Sequence, residues 1–219
     1  MAGRFSAALL LLVGCAFGYG GFEFGGSFVD YAPEARRLSE LNREWEGAGE
    51  FRPSLPTVWF GGHAGGHAGP VTVGGRGAVT FRSLAADAIE VQFGGAQVAL
   101  DLGWHYAPVA FLALRPGVEL GGAGWVYYVH DRDTPLSDPD FSRWFVGWTM
   151  GATPAFEVMG RLPGGGNRYT GLFIKAGYFL PFYGPAWYYD ESPPGFDLKG
   201  FSLQLGIRFG RLPPTFLRI

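Results

Sequence analysis

The residues from 199 to 209 alternate strictly between large apolar side chains and small or polar ones. One parity carries Phe201, Leu203, Leu205, Ile207 and Phe209, whereas the other carries serine, glutamine, glycine and arginine. A repeat of two residues is the repeat of a β-strand, whose side chains point alternately to the two faces of a sheet. This stretch is therefore predicted to be one strand with an apolar face and a polar face.

Seven further segments show the same alternation and are predicted to be strands. They lie at about 19–29, 57–66, 71–82, 88–102, 109–129, 143–158 and 169–180. In the fourth of these the apolar parity switches at Gly94 and Gly95. The switch predicts a β-bulge, with Ile89, Val91 and Phe93 on the outer face before it.

The segment that follows the first strand has a helical period instead. Leu38, Leu41 and Trp45 recur at helical spacing among charged residues, and Pro33 suits a first helical position. An amphipathic helix is predicted over residues 34–46. Its apolar stripe is narrow, which favours packing on the rim of a barrel or in its mouth.

The predicted connections alternate between short and long. Short turns fall at 69–70, 105–108 and 163–167, and long loops fall at 30–56, 130–142 and 181–196. Even strand number with sorted loops is typical of an outer-membrane barrel, which has turns in the periplasm and loops outside. The fold class predicted is all-β: an eight-stranded antiparallel up-and-down transmembrane barrel over residues 17–210, followed by a C-terminal extension at 211–219.

The two faces of the predicted strands carry different chemistry. Apolar side chains are expected to face lipid, with Leu172, Ile174, Phe201, Leu203, Leu205 and Ile207 as the clearest examples. Charged side chains are expected to face inward, and they are Glu23, Arg76, Arg82, Glu90, Asp101, Arg115, Glu119, Glu157, Lys175 and Arg208. The interior of an eight-stranded barrel is just wide enough for side chains, and unpaired buried charges are costly. An ion-paired lumen is predicted, with a narrow pore as the alternative.

Composition agrees with a β-rich chain and excludes several classes of protein. The 37 glycines and the aromatic fraction of 17% suit close strand contacts and pleated surfaces. The chain contains no run of about 18 apolar residues, so no membrane-spanning helix is predicted. The 17 basic and 19 acidic residues nearly balance, so no nucleic-acid partner is expected.

The N-terminus has the pattern of an export signal. A basic residue, Arg4, precedes a short apolar run that ends in small residues, which predicts a signal peptide over 1–16. Cleavage would remove Cys15, the single cysteine. Cys15 also stands in a lipoprotein-like box, so its lipidation is the alternative.

The pattern of these strands resembles the small eight-stranded outer-membrane β-barrel proteins, the OmpA-like and OmpX-like architecture. The resemblance covers residues 19–209. It implies membrane lipid as the partner, a monomer, and a location in the bacterial outer membrane. That family ends its last strand on a terminal aromatic residue, whereas here Phe209 is followed by ten further residues.

Candidate chemistry is sparse, and no catalytic residue, metal site or cofactor is predicted. His63 and His67 would lie about 13 Å apart on a strand, too far for one ion. An acidic cluster at Asp131, Asp133, Asp138 and Asp140 lacks the ordered spacing of a calcium loop.

The leading hypothesis is a non-enzymatic outer-membrane barrel that is structural, adhesive or ligand-contacting through its extracellular loops. One alternative is a secreted soluble lipocalin-like barrel that buries Phe201, Leu203 and Ile207 around a small apolar ligand. Another is a lipid A-modifying enzyme that uses His105 or His130 with Asp101, Asp131 or Ser137. No recognised motif supports that chemistry.

Overall fold

The structure, a computed structural model, describes residues 18–29, 32–45, 47, 57–85, 88–133, 142–163, 168–188 and 199–211. Its elements, in chain order, are β1 (Tyr19–Val29), α1 (Ala32–Glu44), β2 (Thr57–Ala68), β3 (Val71–Ala85), β4 (Ile89–Trp104), β5 (Tyr106–Val109), β6 (Leu112–Asp131), β7 (Ser142–Pro163), β8 (Arg168–Tyr188) and β9 (Gly200–Arg211). The signal peptide predicted at 1–16, Cys15 and the extension beyond Arg211 lie outside the described residues.

Eight long strands form a closed antiparallel barrel. Each pairs with its neighbours in the chain, β4 pairs directly with β6, and β1 pairs with β9 to close the circle. The short strand β5 folds back on the start of β6, where Tyr106 pairs with Leu114. The predicted eight-stranded up-and-down barrel is confirmed.

The barrel carries its large apolar side chains on the outside. Phe81 is 73% exposed and Leu172 is 63% exposed, whereas the inward-facing Glu23 and Arg208 are only 3% and 2% exposed. Of the side chains expected to face lipid, Leu172, Ile174, Phe201, Leu203 and Ile207 are exposed, and Leu205 is half-buried on the same outer parity. This distribution is the reverse of a water-soluble barrel with an apolar interior.

The β-bulge predicted at Gly94 and Gly95 is wrong. β4 pairs in unbroken register with β3 and with β6 across this point. Ile89, Val91 and Phe93 therefore keep one parity and point inward, where they are buried. The apolar parity changes along β4 because the contents of the lumen change from polar to apolar, while the backbone continues regularly.

A hydrophobic plug occupies the β4 and β6 side of the lumen at the end where α1 lies. It consists of Leu38, Leu41, Ile89, Val91, Phe93, Trp125, Tyr127 and Val129. We call this end of the barrel the loop end, and the opposite end, with the short turn at Gly69 and Pro70, the turn end. The buried Asn42 of α1 accepts a hydrogen bond from the backbone N–H of Ala88 at 3.0 Å, which ties the helix to the start of β4.

Several strands extend beyond their predicted ends, and two boundaries differ for an identifiable structural reason. Residues 106–109 form the separate strand β5, so β6 begins at Leu112. β8 continues to Tyr188, well into the loop predicted at 181–196. It does so through a shift in its register with β7 near Met150, after which Tyr183 stacks on Trp148 with ring centroids 5.1 Å apart. The shift lets the strand pass Pro181, a residue that the pattern favours as a strand end.

The seam between β1 and β9 requires close backbone contact, and we predict that Gly21→Ala weakens it. A Cβ at Gly21 would lie 1.9 Å from the carbonyl oxygen of Ile207. The backbone must shift to relieve this overlap, and overpacking of this kind costs about 1–3 kcal/mol. Gly94→Ala is the matched control, because a Cβ there meets nothing within 4 Å. Unfolding in urea, followed by gel mobility without boiling, should separate the two variants, and equal unfolding curves would contradict the predicted overlap.

Candidate functional site

A network of charged and polar side chains crosses the lumen on the turn-end side of the plug. We call it the charge network. All eight long strands contribute to it. Its members are Glu23, His63, Arg76, Asp101, Arg115, Glu119, Glu157, Lys175 and Arg208. Each of these side chains is buried, so the charge network lies in the lumen that the strands enclose.

One branch of the charge network joins β1, β3, β6 and β8. Arg76 donates from Nε to Oε1 of Glu23 at 2.7 Å and from Nη1 to Oε2 of Glu119 at 3.2 Å. Lys175 donates from Nζ to the other oxygen of Glu119. Two cations therefore share two carboxylates, and each of these contacts is a charge-assisted hydrogen bond.

A second branch is centred on Glu157 of β7. Its two oxygens accept from Nη1 and Nη2 of Arg208 at 2.6 and 2.8 Å, which is a bidentate pair. Nη1 of Arg115 lies 3.6 Å from Glu157, while Nη2 of Arg115 lies 2.8 Å from Asp101. Arg115 also donates from Nε to Oγ1 of Thr72 at 2.7 Å.

His63 connects the two branches. Its Nε2 accepts from Nε of Arg208 at 3.1 Å, and its Nδ1 lies 3.3 Å from Oε2 of Glu23. Because Nε2 must offer a lone pair to the arginine, the geometry requires a neutral ring with its proton on Nδ1, facing the carboxylate. With a neutral imidazole, the four basic and four acidic side chains of the network balance.

Two of the ten charged residues predicted for the lumen lie apart from the charge network. Glu90 belongs to the outer parity of β4, since the expected bulge is missing, and it is near Ser83 and His130. Arg82 points inward but lies level with the hydrophobic plug, where its guanidinium carbon is 4.9 Å from the centroid of the Phe93 ring. The other eight charged residues predicted for the lumen are all members of the charge network.

The turn end holds an aromatic and histidine cluster that sequence reasoning missed. The rings of His67 and His105 have centroids 5.6 Å apart, and the ring of Tyr19 is 5.2 Å from that of His67. The pairing of β3 with β4 creates the cluster, because it places the N–H of His105 on the carbonyl of Pro70 at 2.7 Å. The inward parity of His67 was the one available signal.

The described residues considered for an enzyme are divided between the two ends of the lumen and the charge network. His105 lies at the turn end with His67, whereas His130 lies at the loop end, 3.7 Å from Glu90. Asp101 is held by Arg115 in the charge network. Asp131 lies beside His130, with its backbone carbonyl oxygen 2.9 Å from Nδ1 of that ring. Ser137 lies outside the described residues, as do Asp138 and Asp140 of the acidic cluster.

A cavity of about 110 Å³ lies between the charge network and the hydrophobic plug. We call it the lumen cavity. Arg76 and Glu119 of the network and Phe93, Trp125 and Tyr127 of the plug line it from opposite sides. Trp59, Phe179 and Gln204 also line it.

Within the described part of the chain, no group of three or more histidine, cysteine, aspartate or glutamate side chains is arranged to hold a metal ion. Among the same residues, no helix has the length and apolar character needed to cross a membrane.

Comparisons with known proteins give a likeness among solved structures only. No protein-family model matches the chain, and no curated protein matches it. Among solved structures, the chain is similar to Ail, the attachment invasion locus protein of Yersinia pestis, with a TM-score of 0.45 and 11% identity. The match covers 88% of this chain and 98% of that chain. A likeness of this degree says nothing about what this chain does.

Proposed function

We propose that this chain is a non-enzymatic barrel of the bacterial outer membrane. The observation that carries the proposal is the inverted distribution of its side chains, with apolar groups outside and charges inside. A continuous outer surface of this kind is unfavourable in water and favourable among acyl chains. The export signal predicted over residues 1–16 agrees with this location.

Aromatic pairs on the outer surface support the same proposal. Tyr128 and Trp144 have ring centroids 4.5 Å apart, and Phe28 and Phe201 have centroids 6.2 Å apart. Both pairs lie toward the loop end of their strands. Aromatic girdles near strand ends are typical of barrels at the boundary between lipid and water.

We further propose that the lumen is closed and that the barrel acts through its loop end. The charge network links all eight long strands across a lumen that side chains suffice to fill. The proposed contact surface consists of the loops around 30–56, 130–142 and 181–196, of which the last begins after Tyr188. Its partner would be an envelope or extracellular component, in an adhesive or structural role.

The lipocalin-like alternative requires the opposite orientation of β9. Phe201, Leu203 and Ile207 would have to face the lumen, but they are exposed. Buried Gln204 and Arg208 occupy the positions that such a ligand site would need for apolar groups.

The proposal is tested by expressing the full chain in a diderm bacterium and separating its membranes. We expect the protein in the outer-membrane fraction, released by detergent and resistant to alkaline carbonate, and we expect no unit conductance in planar bilayers. Recovery as a soluble monomer without detergent would contradict the membrane proposal. Discrete conductance steps would contradict the closed lumen alone.

A further inference from the structure

Trp59 and Gln204, which line the lumen cavity, each have one buried polar atom without a hydrogen-bond partner. These atoms are Nε1 of Trp59, a donor, and Oε1 of Gln204, an acceptor. Buried polar groups are nearly always paired in folded proteins, so each such atom calls for an explanation. A molecule that pairs both atoms would need one acceptor for Trp59 and one donor for Gln204.

The cavity is too large and too apolar to be explained by one bound water. One water needs about 10–15 Å³ on this measure of volume, and this cavity has about 110 Å³. Five aromatic side chains line it, namely Trp59, Phe93, Trp125, Tyr127 and Phe179. Apolar cavities of comparable size stay dry and accept aromatic molecules.

The charges that border the lumen cavity are already paired. Arg76 and Glu119 bind each other at 3.2 Å, and each has a second partner in the charge network. A charged ligand would lose its hydration without gaining a free counter-charge. The chemistry of the cavity therefore favours an uncharged ligand.

The cavity extends from the charge network toward the loop end. Thr57, the first residue of β2, and Ser202, near the start of β9, are part of its lining. The charge network lies across the lumen on the turn-end side. A ligand would thus reach the cavity from the loop end, beside α1.

We propose that the lumen cavity is a binding site for a small, uncharged aromatic molecule that carries one hydroxyl group. A hydroxyl is a single group that accepts a hydrogen bond from Trp59 and donates one to Gln204. The ring would lie against the aromatic side chains. This site goes beyond the proposed function, because it requires the closed barrel but does not depend on adhesion or on a particular partner.

The test uses three fluorinated probes and the refolded full chain in lipid nanodiscs. Empty nanodiscs are the control, and they measure how much of each probe dissolves in the lipid alone. Binding is measured by fluorine NMR for 4-fluorophenol, fluorobenzene and 4-fluorobenzoate. We expect saturable binding of 4-fluorophenol, weaker binding of fluorobenzene and none of 4-fluorobenzoate. Signals that match those of empty nanodiscs for all three probes, or preferential binding of the benzoate, would overturn the proposal.

Two variants test the assigned hydrogen bonds. Trp59→Phe and Gln204→Leu should each weaken 4-fluorophenol binding by about 3- to 10-fold, the range for one neutral hydrogen bond. Neither should weaken fluorobenzene binding. Trp104→Phe and Gln92→Leu, which change the same residue types outside the cavity, should leave both affinities unchanged. Equal affinity of the two cavity variants and the parent for 4-fluorophenol would overturn the assignment.

A cavity-filling variant gives an independent answer if either of these variants fails to fold. Ser202→Leu adds apolar volume to the cavity lining and leaves Trp59, Gln204 and the members of the charge network unsubstituted. We expect it to abolish saturable binding while the barrel keeps its compact form on gels. Full binding by a folded Ser202→Leu variant would show that the probe lies elsewhere.

Discussion

Glu157→Gln is expected to lower the free energy of unfolding by about 3–5 kcal/mol, the cost of breaking a buried ion pair on one side. The substitution keeps the shape of the side chain but removes the charge that Arg208 contacts at 2.6 and 2.8 Å. Arg115 loses its 3.6 Å contact with the same carboxylate. Two buried guanidinium groups then share less negative charge in a site that water does not reach freely. The difference in the free energy of unfolding is measured by equilibrium unfolding in urea. The protein is held in phosphatidylcholine vesicles, and unfolding is followed by tryptophan fluorescence.

Glu90→Gln is the matched control for this prediction. Its carboxylate lies on the outer parity of β4 with 35% of its side chain exposed, so its loss should change stability by less than about 1 kcal/mol. The double variant with Glu157→Gln and Arg208→Gln should be less destabilised than the two single variants added together. Additive losses, or equal effects at Glu157 and Glu90, would show that the charge network does not hold the strands together.

Leu100→Arg should lower the stability of the barrel in a bilayer by about 2–4 kcal/mol, the cost of placing an arginine at the membrane midplane. Leu100 is 63% exposed on the outer face of β4. It pairs with Leu120, which lies near the middle of the longer strand β6, and with Gly75 of β3. In the proposed membrane location, a guanidinium at this depth would have acyl chains for neighbours. The same vesicle assay applies, with the yield of folded protein as a second measure.

Phe111→Arg provides the comparison, because Phe111 is equally exposed, at 66%, but lies in the turn between β5 and β6. An arginine at the membrane boundary costs about 0–1 kcal/mol. The proposed location therefore predicts a large loss at Leu100 and a small one at Phe111. Similar small losses at both sites would mean that water, and not lipid, covers the outer face.

Much of the barrel follows from local patterns. The alternation in β9, with Leu203 and Ile207 opposite Gln204 and Arg208, specifies a two-faced strand whatever its partners are. The short turn at Gly69, which has a φ of 63°, joins β2 and β3 for a local reason as well. These features depend on residues within a few positions of one another, so the sequence displays them directly.

The failed predictions share a different origin. Ile89, Val91 and Phe93 were expected on the outer face because they are apolar, yet they point inward against Leu38 and Leu41 of α1. Glu90 was assigned to the wrong face for the same reason. Alternation identifies two faces, but which face is inside depends on what fills the lumen at that level, and α1 lies more than 40 residues earlier in the chain.

The sequence by itself determined that this chain forms eight strands with one apolar and one polar face, because period-two alternation and the lengths of the connections are local properties. The closure of the barrel depends on the pairing of β1 with β9, which lie at opposite ends of the described chain. Only the tertiary structure decided which charges meet, since Arg208 and Glu157 are 51 residues apart in the chain. They become neighbours because β7 and β9 both pair with β8, in registers that bring the two side chains to nearby levels of the lumen. The lumen cavity is likewise a product of the tertiary structure. It exists because α1 places apolar groups in one end of the lumen, the charge network crosses the other side, and neither fills the space between them.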